Sequence, residues 1–304
     1  MGAVPGEPSN WGRWGDGDQL GTTNLLTAER VAAAARLVRT GRRFPLGLPI
    51  GGPPTPGYRP APLHLQAVTA GDSVLGDGGR DGFCASDDYV VMALQASTQL
   101  DGFGHVGAGA TLYNGFWSGL VTTRSGARRL GIHHLAAGIV GRGVLLDVAR
   151  HAGLDELAPG TALGAEELAA TADAQGVEVG PGDALLVRTG WLGRRLVEGR
   201  PVGPGGGEPG LSDRAVPWLA GRDVVLVATD TMTCEVVPPE PGTPMLTFHA
   251  RALRDLGMLL GELFDLDELA ADCAADGVYE FFFAAMPMPV VGGVGSPVNP
   301  LAVK

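Results

Sequence analysis

From Asp88 onward the chain alternates short, nearly continuous apolar runs with stretches of helical period. The runs cover 89–94, 143–148, 183–189, 223–229 and 278–285, the last rich in phenylalanine. Several do not alternate with polar residues, which marks strands covered on both faces. Helical stretches lie between them at about 164–174, 212–220, 249–261 and 265–275. Strand following helix in turn predicts the α/β class. Upstream, Thr27 is placed to cap a helix reaching about Thr40, with Arg39, Arg42 and Arg43 suited to its C-terminal end. Residues 51–63 hold five prolines and read as a loop, as do residues 201–210. The latter is no phosphate cradle, because no Lys-Ser/Thr follows it and it does not lead from a strand into a helix. Residues 1–26 are polar and glycine-rich but carry Trp11 and Trp14. They read as an N-terminal extension packed on the domain or on a partner subunit, followed by one α/β domain over 27–304.

Composition narrows the possible functions. Hydrophobic residues make up 45% of the 304, enough for a sizeable core, and the 49 glycines and 23 prolines fall mostly in loops. The net charge of −11, without a basic run, argues against nucleic acid and anionic membrane as partners. The single lysine is Lys304, so a Schiff-base lysine, a P-loop lysine and a pyridoxal-phosphate anchor are excluded. Three cysteines, Cys84, Cys234 and Cys273, form no CxxC pair, which points to a reducing compartment without a disulfide framework or a cysteine zinc site. The N-terminus shows no secretory pattern, Met1-Gly2 lacks the residues that myristoylation requires, and no apolar run reaches membrane-spanning length. A cytoplasmic protein is expected.

Six histidines frame the candidate chemistry. His64, His133, His134 and His151 read as surface or capping residues. Asp101 and His105 are four apart in a glycine-rich stretch, where a permissive backbone lets two polar side chains converge; a turn with a surface histidine fits the same spacing. His249 and Glu262 stand at opposite ends of the predicted helix 249–261. Thirteen helical residues span about 20 Å, so the two meet only if the helix breaks, at Gly257 or Gly261. Cys234 reads as structural.

The stretch Gln95–His105 resembles the HxGTHxDxPxH signature of the cyclase superfamily, which includes kynurenine formamidases, isatin hydrolases and polyketide-cluster cyclases. Gln95 and Gln99 fall on its first two histidines, Asp101 on its aspartate, Phe103 on its proline and His105 on its last histidine. The segment from His249 to Glu262 is similar to the family's second ligand region, and WGDGDQLGTTNLLT, GRGVLLDV, GDALLVRTGW and GSPVNP look like family blocks. The resemblance implies one domain of the swivelling β/β/α type with a mixed sheet, usually oligomeric, here a homodimer or homotetramer. It also implies metal ligands at Asp101, His249 and Glu262, with His105 (and Asp101) catalytic.

The departure lies in the two glutamines. Glutamine is a weaker, harder donor than imidazole, so the position served by two histidines should be emptied or weakened. The oxygen-rich remainder favours one Mn²⁺ or Mg²⁺ over Zn²⁺. Otherwise the site holds no metal and Gln95 and Gln99 bind substrate. Phe103, Tyr113 and Trp117, with Phe281 to Phe283, suit an aromatic or polycyclic small molecule, with at least one of Tyr113 and Trp117 in contact. Three functions are therefore expected in turn: a metal-assisted hydrolase or cyclase acting on a carbonyl, a metal-independent acid/base cyclase or dehydratase of secondary metabolism acting on polyketide-like chains, and a non-catalytic binding protein.

Overall fold

Three of the apolar runs form the centre of one sheet. In the computed structural model, which describes residues 6–52, 59–76, 83–200, 202 and 206–304, Ile139–Asp147 pairs in parallel with Ala184–Arg188. That strand pairs in parallel with Leu226–Thr229, which in turn pairs with Leu259–Glu262. Leu145, Leu185, Leu186, Val227 and Leu260 are fully buried, as expected of strands covered on both faces. Antiparallel strands extend the sheet both ways. Glu280–Ala285, Leu301–Val303 and Arg43–Pro45 continue one side; Gln99–Asp101 and Gly295–Pro297 close the other. The result is the single α/β domain with a mixed sheet that the sequence implied.

The covering helices follow local rules. Ala165–Gln175 starts where the Gly164 N–H donates to the Glu167 carboxylate, 2.8 Å, and stops at the left-handed Gly176. Asp267–Asp276 stops at Gly277 in the same way. Thr27 does cap a helix, but it covers only Ala28–Ala35. Arg42 instead pairs with Asp272 and Arg43 opens the edge strand, because pairing with Leu301–Val303 extends the chain there. Among the described residues no helix is long and apolar enough to cross a membrane.

Two expectations are corrected. The strand predicted at 89–94 is Asp87–Val91, and it pairs only with Leu63–Val68. This two-stranded ribbon stands off the main sheet with Tyr89, Val90 and Val91 exposed, so it is not the strand that leads into the Asp101–His105 stretch. The stretch predicted as a helix to residue 261 contains the strand Leu259–Glu262. Of the proline-rich loop 51–63, residues 53–58 lie outside the described residues, as do residues 201 and 203–205 of the second loop and Met1-Gly2.

The central strands are tied at one end by Asp230. Its carboxylate accepts from the Thr189 N–H, the Thr189 hydroxyl and the Gly190 N–H at 2.7–2.9 Å. Complete burial, opposed by these bonds, still lifts Asp230 to about 6. A carboxyl raised by folding favours its protonated form. Its stabilising contribution is therefore whole below the ordinary aspartate range near pH 4 and is lost as pH climbs through 6. Asp230→Asn removes this share, on the order of 2–3 kcal/mol. Denaturant unfolding at a series of pH values should show a shallower fall in stability between pH 4 and pH 7 than in the parent protein.

Candidate metal centre

The strands Gln99–Asp101 and Leu259–Glu262 run antiparallel, with Glu262 opposite Gln99 and Leu260 opposite Asp101. Side chains alternate along a strand, so Gln99, Asp101 and Glu262 share one face while Leu100 enters the core on the other. His249 reaches that face from a helix. The turn Thr247–His249 continues as π-helix through Ala250–Leu256 and ends at Gly257, whose φ is +58°. A side chain at Gly257 would overlap the Tyr113 ring. The chain reverses there and returns as the strand bearing Glu262. This is the break that sequence spacing required; Gly261 lies within the strand.

His249 Nε2 stands 3.3 Å from Glu262 Oε1 and 3.8 Å from Asp101 Oδ2. One donor atom from each of Asp101, His249 and Glu262 falls within 4.8 Å of the others, and all three residues are buried. Asp101 Oδ1 lies 3.7 Å from His105 Nε2, so the carboxylate sits between two imidazoles. His105 is the solvent-facing one: its side chain is 25% exposed against 1% for Asp101.

Polar balance inside the cluster is uneven. Gln99 Nε2 donates to Glu262 Oε2, but Gln99 Oε1 and both Asp101 oxygens are buried with no hydrogen-bond partner among the described residues. Buried acceptors without donors are costly. Burial and the charge of Asp101 push Glu262 up, against the pull of His249, to about 8. Burial works to lower His249, yet its bonds to Glu235 and Glu262 win and hold it up at about 10. Without a cation the cluster keeps protons. A divalent cation answers the same need, and two carboxylates, a histidine and a neutral carbonyl are a suitable donor set for one.

Glu235 was not identified from the sequence. Its Oε2 accepts from His249 Nδ1, 3.0 Å, and from the His249 N–H, 3.2 Å, while Oε1 accepts from the Leu246 N–H, 2.6 Å. With Nδ1 bonded to Glu235, it is Nε2, facing Asp101 and Glu262, that would offer a lone pair once its proton is displaced, the arrangement usual for metal-bound histidine. No spacing flags it, since it lies fourteen residues before His249. Cys234, next to it, is buried, and burial together with the charge of Glu262 pushes its thiol well up, so it stays protonated.

The N-terminal segment braces the helix that carries His249. Trp11 Nε1 donates to the Arg254 carbonyl, 2.6 Å, Asn10 Nδ2 to that of Leu256, 2.8 Å, and the Thr22 hydroxyl to that of Gly257, 3.0 Å. Tyr113 donates to Asp18, 2.9 Å.

The remaining predicted residues divide. Gln95 lies beside Gly295, and Arg59 donates to its carbonyl oxygen. Trp117 is 62% exposed. Phe103 and Tyr113 are both buried and packed 5.2 Å apart, and Tyr113 fills the space over Gly257. Phe281 and Phe283 are core residues of a strand that four others separate from Gln99–Asp101. His133 and His134 stack at 4.2 Å, and His64 pairs with Asp88 at the surface, 2.6 Å.

Because the reversal depends on Gly257, Gly257→Ala should destabilise the protein by about 1–3 kcal/mol through left-handed strain and overlap with Tyr113. Denaturant midpoints measure this; an unchanged midpoint would show that the turn adapts freely.

The model of the cyclase family matches residues 26–236. A solved structure described as a novel cyclase is 38% identical, with a TM-score of 0.89, and the match covers 98% of this chain and 100% of that one. Isatin hydrolase A from Ralstonia solanacearum is 20% identical, with a TM-score of 0.62 over 91% of this chain and 98% of its own. A potential metal-dependent hydrolase with cyclase activity is 14% identical, with a TM-score of 0.50 over 86% and 98%. The last two share the fold. No curated protein matches.

Proposed function

This chain belongs to the cyclase family, and from that premise we propose that it is a metal-assisted hydrolase or cyclase acting on the carbonyl of a cyclic or ring-forming small molecule. The observation that carries this reading is the buried set Asp101, His249 and Glu262, short of donors among the described residues and lying beside the partly exposed His105. When bound there, a divalent cation would polarise a carbonyl and increase the acidity of water or a hydroxyl. Asp101, His249 and Glu262 would hold it, and the bond from His249 Nδ1 to Glu235 would orient the imidazole toward it.

His105 moves the proton. His105 alone in the cluster reaches solvent while its Nε2 stays 3.7 Å from Asp101, and an imidazole can both accept and return a proton. If water attacks, an amide, lactam or ester opens; if a group of the substrate attacks, a ring closes. His105 accepts the proton from the nucleophile and returns it to the leaving atom in either direction. The exposed indole of Trp117 is an apolar surface that suits an aromatic substrate.

Elemental analysis should find up to one divalent ion per chain, with chelation abolishing turnover of cyclic amides and lactones. Full activity in metal-free protein would defeat the reading. His105→Ala should bind metal normally and lose about 10²–10⁴-fold in kcat; a mutant that turns over at the parent rate would remove His105 from the chemistry.

The Gln95 and Gln99 substitutions favour a second reading, in which His105 and Asp101 act as a metal-independent acid/base pair. Activity that survives chelation but is lost in His105→Ala would select it.

A further inference from the structure

The metal reading uses three of the buried side chains on this face and leaves a fourth unexplained. Gln99 lies opposite Glu262 in the strand register and shares its face with Asp101. It is buried, as are both carboxylates. Its amide has one partner: Nε2 donates to Glu262 Oε2. That bond fixes the orientation of the group. A carboxylate oxygen accepts, so the amide nitrogen must face Glu262 and the carbonyl oxygen must point elsewhere. Among the described residues Oε1 finds no donor, and neither Asp101 oxygen finds one. Three orphaned acceptor atoms on adjacent same-face positions of one strand are not explained by three ligands alone.

We propose that Gln99 supplies Oε1 as a fourth ligand to the cation held by Asp101, His249 and Glu262, and that this oxygen shifts the site's preference toward a hard ion such as Mn²⁺. The proposal rests on the metal-assisted reading of the same site. It also changes the meaning of the sequence departure: Gln99 contributes to the surviving ligand set and is not only the trace of a lost one.

Charge supports the assignment. Asp101 and Glu262 together balance one divalent ion with His249 neutral. A neutral amide adds a ligand atom without adding a further buried charge that would need its own partner. The hydrogen bond to Glu262 does the work of an outer partner, holding the amide in one orientation. Three oxygens and one nitrogen form a harder set than one with a second imidazole, so the usual advantage of Zn²⁺ over Mn²⁺ should narrow.

Titration calorimetry of metal-stripped protein with Mn²⁺ and with Zn²⁺ tests this on the parent, Gln99→Met and Gln99→His. Gln99→Met keeps length and volume but removes the oxygen, and Mn²⁺ affinity should drop about tenfold or more. Gln99→His should widen the ratio of Zn²⁺ to Mn²⁺ affinity by about tenfold. Circular dichroism reports folding, and if Gln99→Met does not fold, the affinity ratio in Gln99→His decides alone. Parent protein that binds Mn²⁺ while the folded variants show unchanged affinity and ratio overturns the role of Gln99 and spares the metal reading. Parent protein that binds neither ion overturns both.

Discussion

Every functional feature here depends on a shortage of hydrogen-bond donors, among the described residues, around a set of buried acceptors. Gln99, Asp101, His249 and Glu262 bring several acceptor atoms into a buried pocket that contains few protons of its own. Leaving such atoms unpaired costs about 1–3 kcal/mol each, so the arrangement persists only where something positive completes it. In the chain alone protons do this: burial and the charge of Asp101 hold Glu262 up, and the bonds to Glu235 and Glu262 hold His249 up. The same shortage makes the pocket a cation site.

The fold creates this shortage through one edge of the sheet. The four parallel strands form a rigid apolar platform, and the antiparallel strand Gln99–Asp101 is laid against its last member, Leu259–Glu262. Register then sets Gln99 against Glu262 with no freedom to slip, since a shift of one residue would bury Glu262 on the apolar face. The third element is held differently. His249 stands on a short π-helical segment, which lacks the regularity of an α-helix, and the chain reverses at Gly257. Hydrogen bonds from Asn10, Trp11 and Thr22 to the carbonyls at its end brace it from outside. Precise placement of one imidazole thus recruits a segment more than two hundred residues away in sequence.

Asp101 and His105 were legible because they are local: four residues and two glycines contain the whole relation. His249 and Glu262 were legible through family resemblance and a length argument, in which about 20 Å of straight helix could not bring them together. Glu235 was invisible, since its relation to His249 depends on the path of a loop. The burial of Phe103 and Tyr113 was not legible, because an aromatic near a catalytic motif looks the same in sequence whether it lines a pocket or fills the core. The empty volume over Gly257 decided the matter for Tyr113.

The amino-acid order by itself determined the α/β class, the apolar strands of the sheet centre, the family and the identities of the principal site residues. The class and the strands follow from periodicity, and the family and the expected site residues from resemblance to a known signature. Tertiary structure alone decided that residues 259–262 form a strand, that Gly257 is the point of reversal, that Glu235 steadies His249, and that the carbonyl of Gln99 is left without a partner. Each of these depends on which distant segment arrives beside a residue, and pairing energy between strands outweighs local helical preference once that neighbour is present.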